Sequence, residues 1–98
     1  LGAVENNLRK MIEVSNEAGI NVLMMGVQLP PNYGVSYTTS FEAIFSNLSE
    51  EFGLVLVKGE LADMIKDGLM QSDGIHPNVE GHIMIQQAVW KDLVELLK

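Results

Sequence analysis

Asn21-Val22-Leu23-Met24-Met25-Gly26-Val27-Gln28 is the stretch on which the fold turns. It is nearly continuously apolar rather than alternating, which suits a strand covered on both faces in a parallel sheet and predicts helices on both sides. Leu29-Pro30-Pro31-Asn32-Tyr33-Gly34 ends it, because two prolines deny ladder donors and Asn-Tyr-Gly supplies turn residues. The loop leaves the carboxyl end of the strand, where open α/β sheets build their sites.

Working outward, Val4, Leu8, Met11 and Ile12 fall at i, i+4, i+7 and i+8 on one face of an amphipathic helix, and Gly19 is its natural stop. Beyond the loop, Thr39 with Glu42 reads as a capping box. The helix it opens carries Phe41, Ile44, Phe45, Leu48 and Phe52 on one face and closes at Gly53. Leu54-Val55-Leu56-Val57 is a second short buried strand, and Glu60 to Lys66 reads as a brief helix ended by Asp67-Gly68. Asn78 caps a last helix running from Val79 to Leu97. Its stripe of Ile83, Ile85, Val89, Trp90, Leu93, Val94 and Leu97 is wide enough to predict heavy burial, with Trp90 as a core anchor. Gly81 weakens its first turn by about 1 kcal/mol relative to Ala, which predicts close packing there. The six methionines read as core filler.

The resulting order is helix, strand, helix, strand, short helix, loop, helix: an α/β chain with a parallel βαβ crossover and flanking helices. Two strands make a poor sheet, so strands this apolar call for a further neighbour. The 98 residues carry no internal repeat or linker and read as one unit. A net charge of −7, with six Lys and Arg against thirteen acids, predicts no nucleic-acid partner. No apolar run is long enough for stable membrane insertion. Without cysteine there is neither a disulfide framework nor a thiolate metal site. The opening at Leu1, with no initiator Met, reads as a processed or truncated piece.

The chemistry concentrates in Met70-Gln71-Ser72-Asp73-Gly74-Ile75-His76-Pro77-Asn78. A serine hydrolase needs an imidazole to take the hydroxyl proton and a carboxylate to orient that imidazole. A spacing of three lets Asp73 reach back to His76, while Gly74 permits the turn and Pro77 restrains it before the helix. His82 reads as an exposed or locally bonded histidine, its rival being a metal site shared with His76 and Asp73 that lacks an obvious third strong ligand. Ser15, Ser36, Ser40, Ser46, Ser49 and Ser72 suit turn, cap or helix-surface roles, since none stands in a nucleophile elbow after a strand. Tyr33 and Tyr37 either line a pocket or pack the turn. The acids Glu50, Glu51, Glu60 and Asp63 read as a solvated face.

Asp73-Gly74-Ile75-His76-Pro77-Asn78 before a terminal helix resembles the SGNH hydrolases, also called GDSL esterases and lipases. Gln28-Leu29-Pro30-Pro31-Asn32-Tyr33-Gly34 with Tyr37 is similar to a loop of the thioesterase, lysophospholipase and arylesterase branch. The resemblance implies a flavodoxin-like three-layer α/β/α sandwich of which residues 1–98 are the C-terminal portion. It also implies hydrolysis of carboxylic esters or thioesters without a cofactor, in a periplasmic or secreted bacterial setting. Asp73 and His76 match the triad acid and base, and Leu29, Pro30, Pro31, Asn32 and Tyr33 match a loop lining the acyl crevice. The family's Gly-Asp-Ser nucleophile motif and its Gly and Asn oxyanion donors have no counterpart here. The expected partners are therefore an ester or acyl substrate and the N-terminal half of the same domain. The expected state of the chain alone is inactive. Two rival readings are a non-catalytic binding module and a fragment that self-associates through its exposed sheet edge.

Overall fold

A computed structural model describes residues 1–58 and 61–98, with the Pro31, Leu61 and Ala62 side chains also outside the described set. The helices are α1 (Gly2–Glu17), α2 (Val35–Phe52), α3 (Leu61–Lys66) and α4 (Val79–Leu96), and the strands are β1 (Leu23–Met25) and β2 (Val55–Val57). A single 3-10 turn, Pro31–Tyr33, lies between β1 and α2. The expected helix start at Glu60 lies outside the described residues.

Three helices end by one device. After α1, the N–H of Ile20 reaches the carbonyl of Ser15 at 2.9 Å and that of Gly19 reaches Asn16 at 3.0 Å. Leu54 to Ser49 with Gly53 to Glu50, and Leu69 to Met64 with Gly68 to Ile65, repeat the pattern. The paired bonds satisfy orphan carbonyls at each helix end and require a left-handed residue, which glycine adopts without a Cβ clash. Gly19, Gly53 and Gly68 all have φ near +70°, at 73°, 67° and 70°. Each helix is thus turned within a few residues toward the element that follows it.

β1 and β2 are parallel, with Leu23 opposite Val55, Met24 opposite Leu56 and Met25 opposite Val57. The N–H of Gly26 extends the ladder to the carbonyl of Val57 at 2.7 Å. Ile12 of α1, Met24 of β1, and Ile44, Phe45 and Leu48 of α2 form the buried cluster, so α1 and α2 share one face of the sheet. Phe41 meets Phe45 edge-on, with centroids 5.5 Å apart, a geometry that adds to the area term. On the other face, Val57 borders Met84, Ile85 and Ala88 of α4.

Four expectations are corrected. The strands have three residues each, and β1 is not covered on both faces: Met25 is 48% exposed while its partner Val57 is 9% exposed. One strand pair offers α4 too little surface, so its stripe is at best half-buried, and Ile83, Trp90 and Leu97 are exposed; Trp90 is not a core anchor. Met24 and Met64 are buried, but Met11 and Met25 are not core filler. Thr39 and Glu42 form no capping box, because α2 begins at Val35 with Gly34 as its N-cap and no side-chain cap bond. Gly34, at φ 88°, turns the chain directly from the 3-10 turn into the helix.

The expected close packing at Gly81 is present. A Cβ there would lie 2.4 Å from the Leu69 carbonyl oxygen, 2.9 Å from Pro77 Cβ and 3.0 Å from Met64 Cε. Backbone cannot yield as a flexible side-chain end can. Gly81→Ala is therefore expected to destabilise the chain by about 1–3 kcal/mol through overpacking, outweighing the gain of about 1 kcal/mol in helix propensity. Urea unfolding followed by circular dichroism checks this, and a raised midpoint would contradict it.

Candidate functional site

The loop between α3 and α4 is closed before it reaches the titratable pair. Met70 bridges Pro77 in antiparallel fashion, and the N–H of Gln71 donates to the His76 carbonyl at 2.7 Å. At the base, the N–H of Asn78 donates to the Leu69 carbonyl at 2.8 Å. The Asn78 side chain works in two directions: Nδ2 donates to the Gly68 carbonyl at 2.9 Å, and Oδ1 accepts from the N–H of Gly81 at 2.9 Å. It thus caps α4 and ties that cap to the end of α3. At the tip, Gly74 has φ 68° and donates to the Gln71 carbonyl at 3.0 Å.

Within this frame Asp73 and His76 meet. Asp73 Oδ1 accepts from the N–H groups of Ile75 and His76 at 2.9 and 3.0 Å, fixing the carboxyl plane. Its Oδ2 lies 2.6 Å from His76 Nδ1. The contact with the His76 ring, then the backbone bonds from Ile75 and His76, lower the Asp73 carboxyl from its ordinary 3.8 to about 2. At neutral pH the carboxylate is ionised and can only accept, so in the neutral form of the imidazole Nδ1 carries the shared proton and the lone pair is left on Nε2. The His76 side chain is 68% exposed. The ring is therefore held at Nδ1, and among the described residues no bond is made at Nε2, an arrangement that suits a general base.

The remaining candidates fall elsewhere. Among the described residues, no hydrogen bond or ring contact joins residues 29–33 to Asp73 or His76. Leu29 and Pro30 are half-buried and Asn32 is exposed. Tyr33 stacks on Tyr37 with centroids 6.1 Å apart and an interplanar angle of 21°, so these rings pack the turn against the start of α2. The expected acyl-lining role of Pro31 falls on a side chain outside the described set. His82 is exposed on α4. Among the described residues, no three His, Asp or Glu side chains gather in a metal-binding group.

Ser15 bonds back to the Met11 carbonyl at 2.8 Å, but Ser49 departs from the expected surface role. It is 4% exposed, and its hydroxyl has no partner among the described residues, carried inward beside Leu48 on the buried face of α2. A hollow of about 220 Å³ opens between the strand ends and α2, bordered by Gly26, Glu42, Phe45, Ser46 and Lys58. The sequence reading missed Gln71, whose Nε2 donates to the Pro77 carbonyl at 3.0 Å, and the second bond of Asn78. Their signal was two amide side chains bracketing a loop rich in Gly and Pro.

Comparison with known proteins gives the chain's relatives. No family model matches the chain. It is 37% identical over 95 residues to an arylesterase of Vibrio mimicus, covering 96% of this chain and 48% of that protein. It is 34% identical over 94 residues to the thioesterase 1/protease 1/lysophospholipase L1 of Escherichia coli strain K12, covering 95% of this chain and 45% of that protein. The psychrotrophic esterase EstA of Pseudoalteromonas sp., solved inhibited by monoethylphosphonate, superposes with a TM-score of 0.83 at 27% identity, over 98% of this chain and 53% of that one. AlinE4, an SGNH-hydrolase family esterase, does so with a TM-score of 0.64 at 28% identity, over 99% and 52%. In sequence and in fold the chain is similar, over nearly its whole length, to about half of these esterases, AlinE4 of the SGNH-hydrolase family among them. It spans about half the length of the curated relatives it matches.

The Asp73 shift has a definite sign. Because the folded-state value lies below the ordinary one, its stabilising contribution is complete above 3.8 and is lost as pH falls through about 2. Carbon-13 NMR of the Asp73 carboxyl is expected to show titration near 2, moving toward 3.8 in His76→Ala, where the first of the three causes is removed. An unchanged value in that variant would contradict the assigned cause.

Proposed function

We propose that these residues form the acid-and-base portion of an SGNH-type serine esterase that hydrolyses carboxylic esters or thioesters. His76 is the general base: Nε2 takes the proton of a serine hydroxyl as its oxygen attacks the acyl carbon. It then returns that proton to the departing alcohol or thiol as the old bond breaks. A water molecule repeats the sequence on the acyl-serine and releases the acid. Asp73 holds the tautomer and stabilises the imidazolium formed at each step. Residues 29–33 are assigned to the acyl pocket. The nucleophile and the oxyanion donors belong to the other portion of the domain, N-terminal to these residues.

The observation that carries this reading is the 2.6 Å contact of His76 Nδ1 with Asp73 Oδ2, in a His76 side chain that is 68% exposed. Relatives named arylesterase and thioesterase support the substrate class. An oxyanion donor is often worth about 3 kcal/mol in the transition state, so a base without donors or nucleophile has nothing to drive. The 98-residue chain alone is therefore expected to give no saturable hydrolysis of p-nitrophenyl acetate. In the completed domain, His76→Ala is expected to lower kcat by about ten-thousand-fold or more. Saturable hydrolysis by the chain alone that is lost in His76→Ala would overturn the division of labour. Unimpaired turnover by the completed His76→Ala domain would overturn the role of His76.

A further inference from the structure

The direction in which the His76 ring leaves the chain is set by the backbone on either side of it. On the amino side, Asp73 Oδ1 accepts from the N–H groups of Ile75 and His76 at 2.9 and 3.0 Å. On the carboxyl side the bonds come from one residue. The N–H of Gln71 donates to the His76 carbonyl at 2.7 Å, and its Nε2 donates to the Pro77 carbonyl at 3.0 Å. The Gln71 carbonyl in turn accepts from the N–H of Gly74 at 3.0 Å. Gln71 thus holds the tip of the turn and two successive carbonyls on its returning side.

Of these bonds only the one from Nε2 depends on residue type, since any residue except proline offers a backbone N–H. The carbonyl that it holds would otherwise be unclaimed. In a helix, the donor for the Pro77 carbonyl would be the N–H four residues on, which is that of Gly81, and Asn78 Oδ1 takes that N–H at 2.9 Å. Among the described residues the Pro77 carbonyl accepts from nothing but Gln71. The proline ring fixes its own φ and restricts the residue before it, so the setting of the Pro77 carbonyl is the freedom that Gln71 removes. A carbonyl can only accept, which turns the nitrogen end of the amide toward it.

Asn78 works differently. Its bonds to Gly68, Leu69 and Gly81 tie one helix to the next, whereas those of Gln71 lie wholly inside the turn. We infer that Gln71 is a positioning residue for His76: its side-chain amide holds the Pro77 carbonyl and thereby keeps the imidazole directed at Asp73. A side chain 68% exposed has little packing to hold it there. The consequence for catalysis rests on the esterase reading, and the effect on the ring does not.

Two variants test this. Gln71→Met keeps the length of the side chain and removes the donor, and Gln71→Glu keeps the shape but at neutral pH can only accept. In the 98-residue chain, both are expected to speed exchange of the His76 Nδ1 proton about tenfold while leaving amide exchange at Gly81, which reports the Asn78 cap, within about twofold. In the completed domain, Gln71→Met is expected to lower kcat about tenfold or more with KM within about twofold, since binding is untouched and the base is misdirected. Unchanged Nδ1 exchange in both variants overturns the inference. So does faster exchange that extends equally to Gly81, because Gln71 would then brace the loop and not the ring. Full kcat in a hydrolysing Gln71→Met domain overturns it as well. If the Nδ1 proton responds as expected but the completed domain with Gln71 intact hydrolyses no ester, the role of Gln71 stands and the esterase reading falls.

Discussion

Asn78 is the residue on which the candidate site depends. Its backbone N–H closes the loop on Leu69, Nδ2 holds the Gly68 carbonyl at the end of α3, and Oδ1 caps α4 through Gly81. These bonds meet at a tight backbone approach, since Gly81 leaves no room for a Cβ against the Leu69 carbonyl. The residues from Met70 to Pro77 are thereby a closed loop between two helix ends. Its interior bonds, from Gln71 to His76 and from Gly74 to Gln71, bring His76 back over Asp73. No partner from β1 or α2 is needed to make the acid–base contact.

That locality explains what could be read from sequence. The Asp73 and His76 contact spans three residues and depends on Gly74 and Pro77 between and beside them, so residue type and spacing were enough to anticipate it. The Asn78 cap, the glycine stops at Gly19, Gly53 and Gly68, and the tight approach at Gly81 are local in the same way. Burial is not local. Whether Trp90 or Met25 is covered depends on how many strands stand beside β1, and apolar periodicity gives only the direction in which a side chain wants cover. The start of α2 was misplaced for a different reason: a positive-φ Gly34 and a 3-10 turn opened the helix without the side-chain cap that Thr39 and Glu42 imitate.

The two parts of the proposed site accordingly differ. Asp73 and His76 are assembled in the 98 residues and are coupled strongly enough to hold the carboxyl near 2. Residues 29–33 leave the carboxyl end of β1 as a turn whose Tyr33 ring stacks on Tyr37 of α2, and their proposed role in binding an acyl group requires surfaces beyond the described contacts. The 68% exposure of the His76 side chain fits the proposed role of a base held ready for a hydroxyl from outside the loop.

The central claim is that the loop holds His76 as a preoriented base in the 98-residue chain alone. Long-range proton–nitrogen NMR at neutral pH tests it directly, with exposed His82 as the internal comparison. The account predicts that the His76 Nδ1 is protonated, with a slowly exchanging proton shared with Asp73, and that Nε2 is unprotonated; in Asp73→Asn this signature is lost while His82 is unchanged. A His76 ring with the same tautomer mixture and proton exchange as His82 would contradict it.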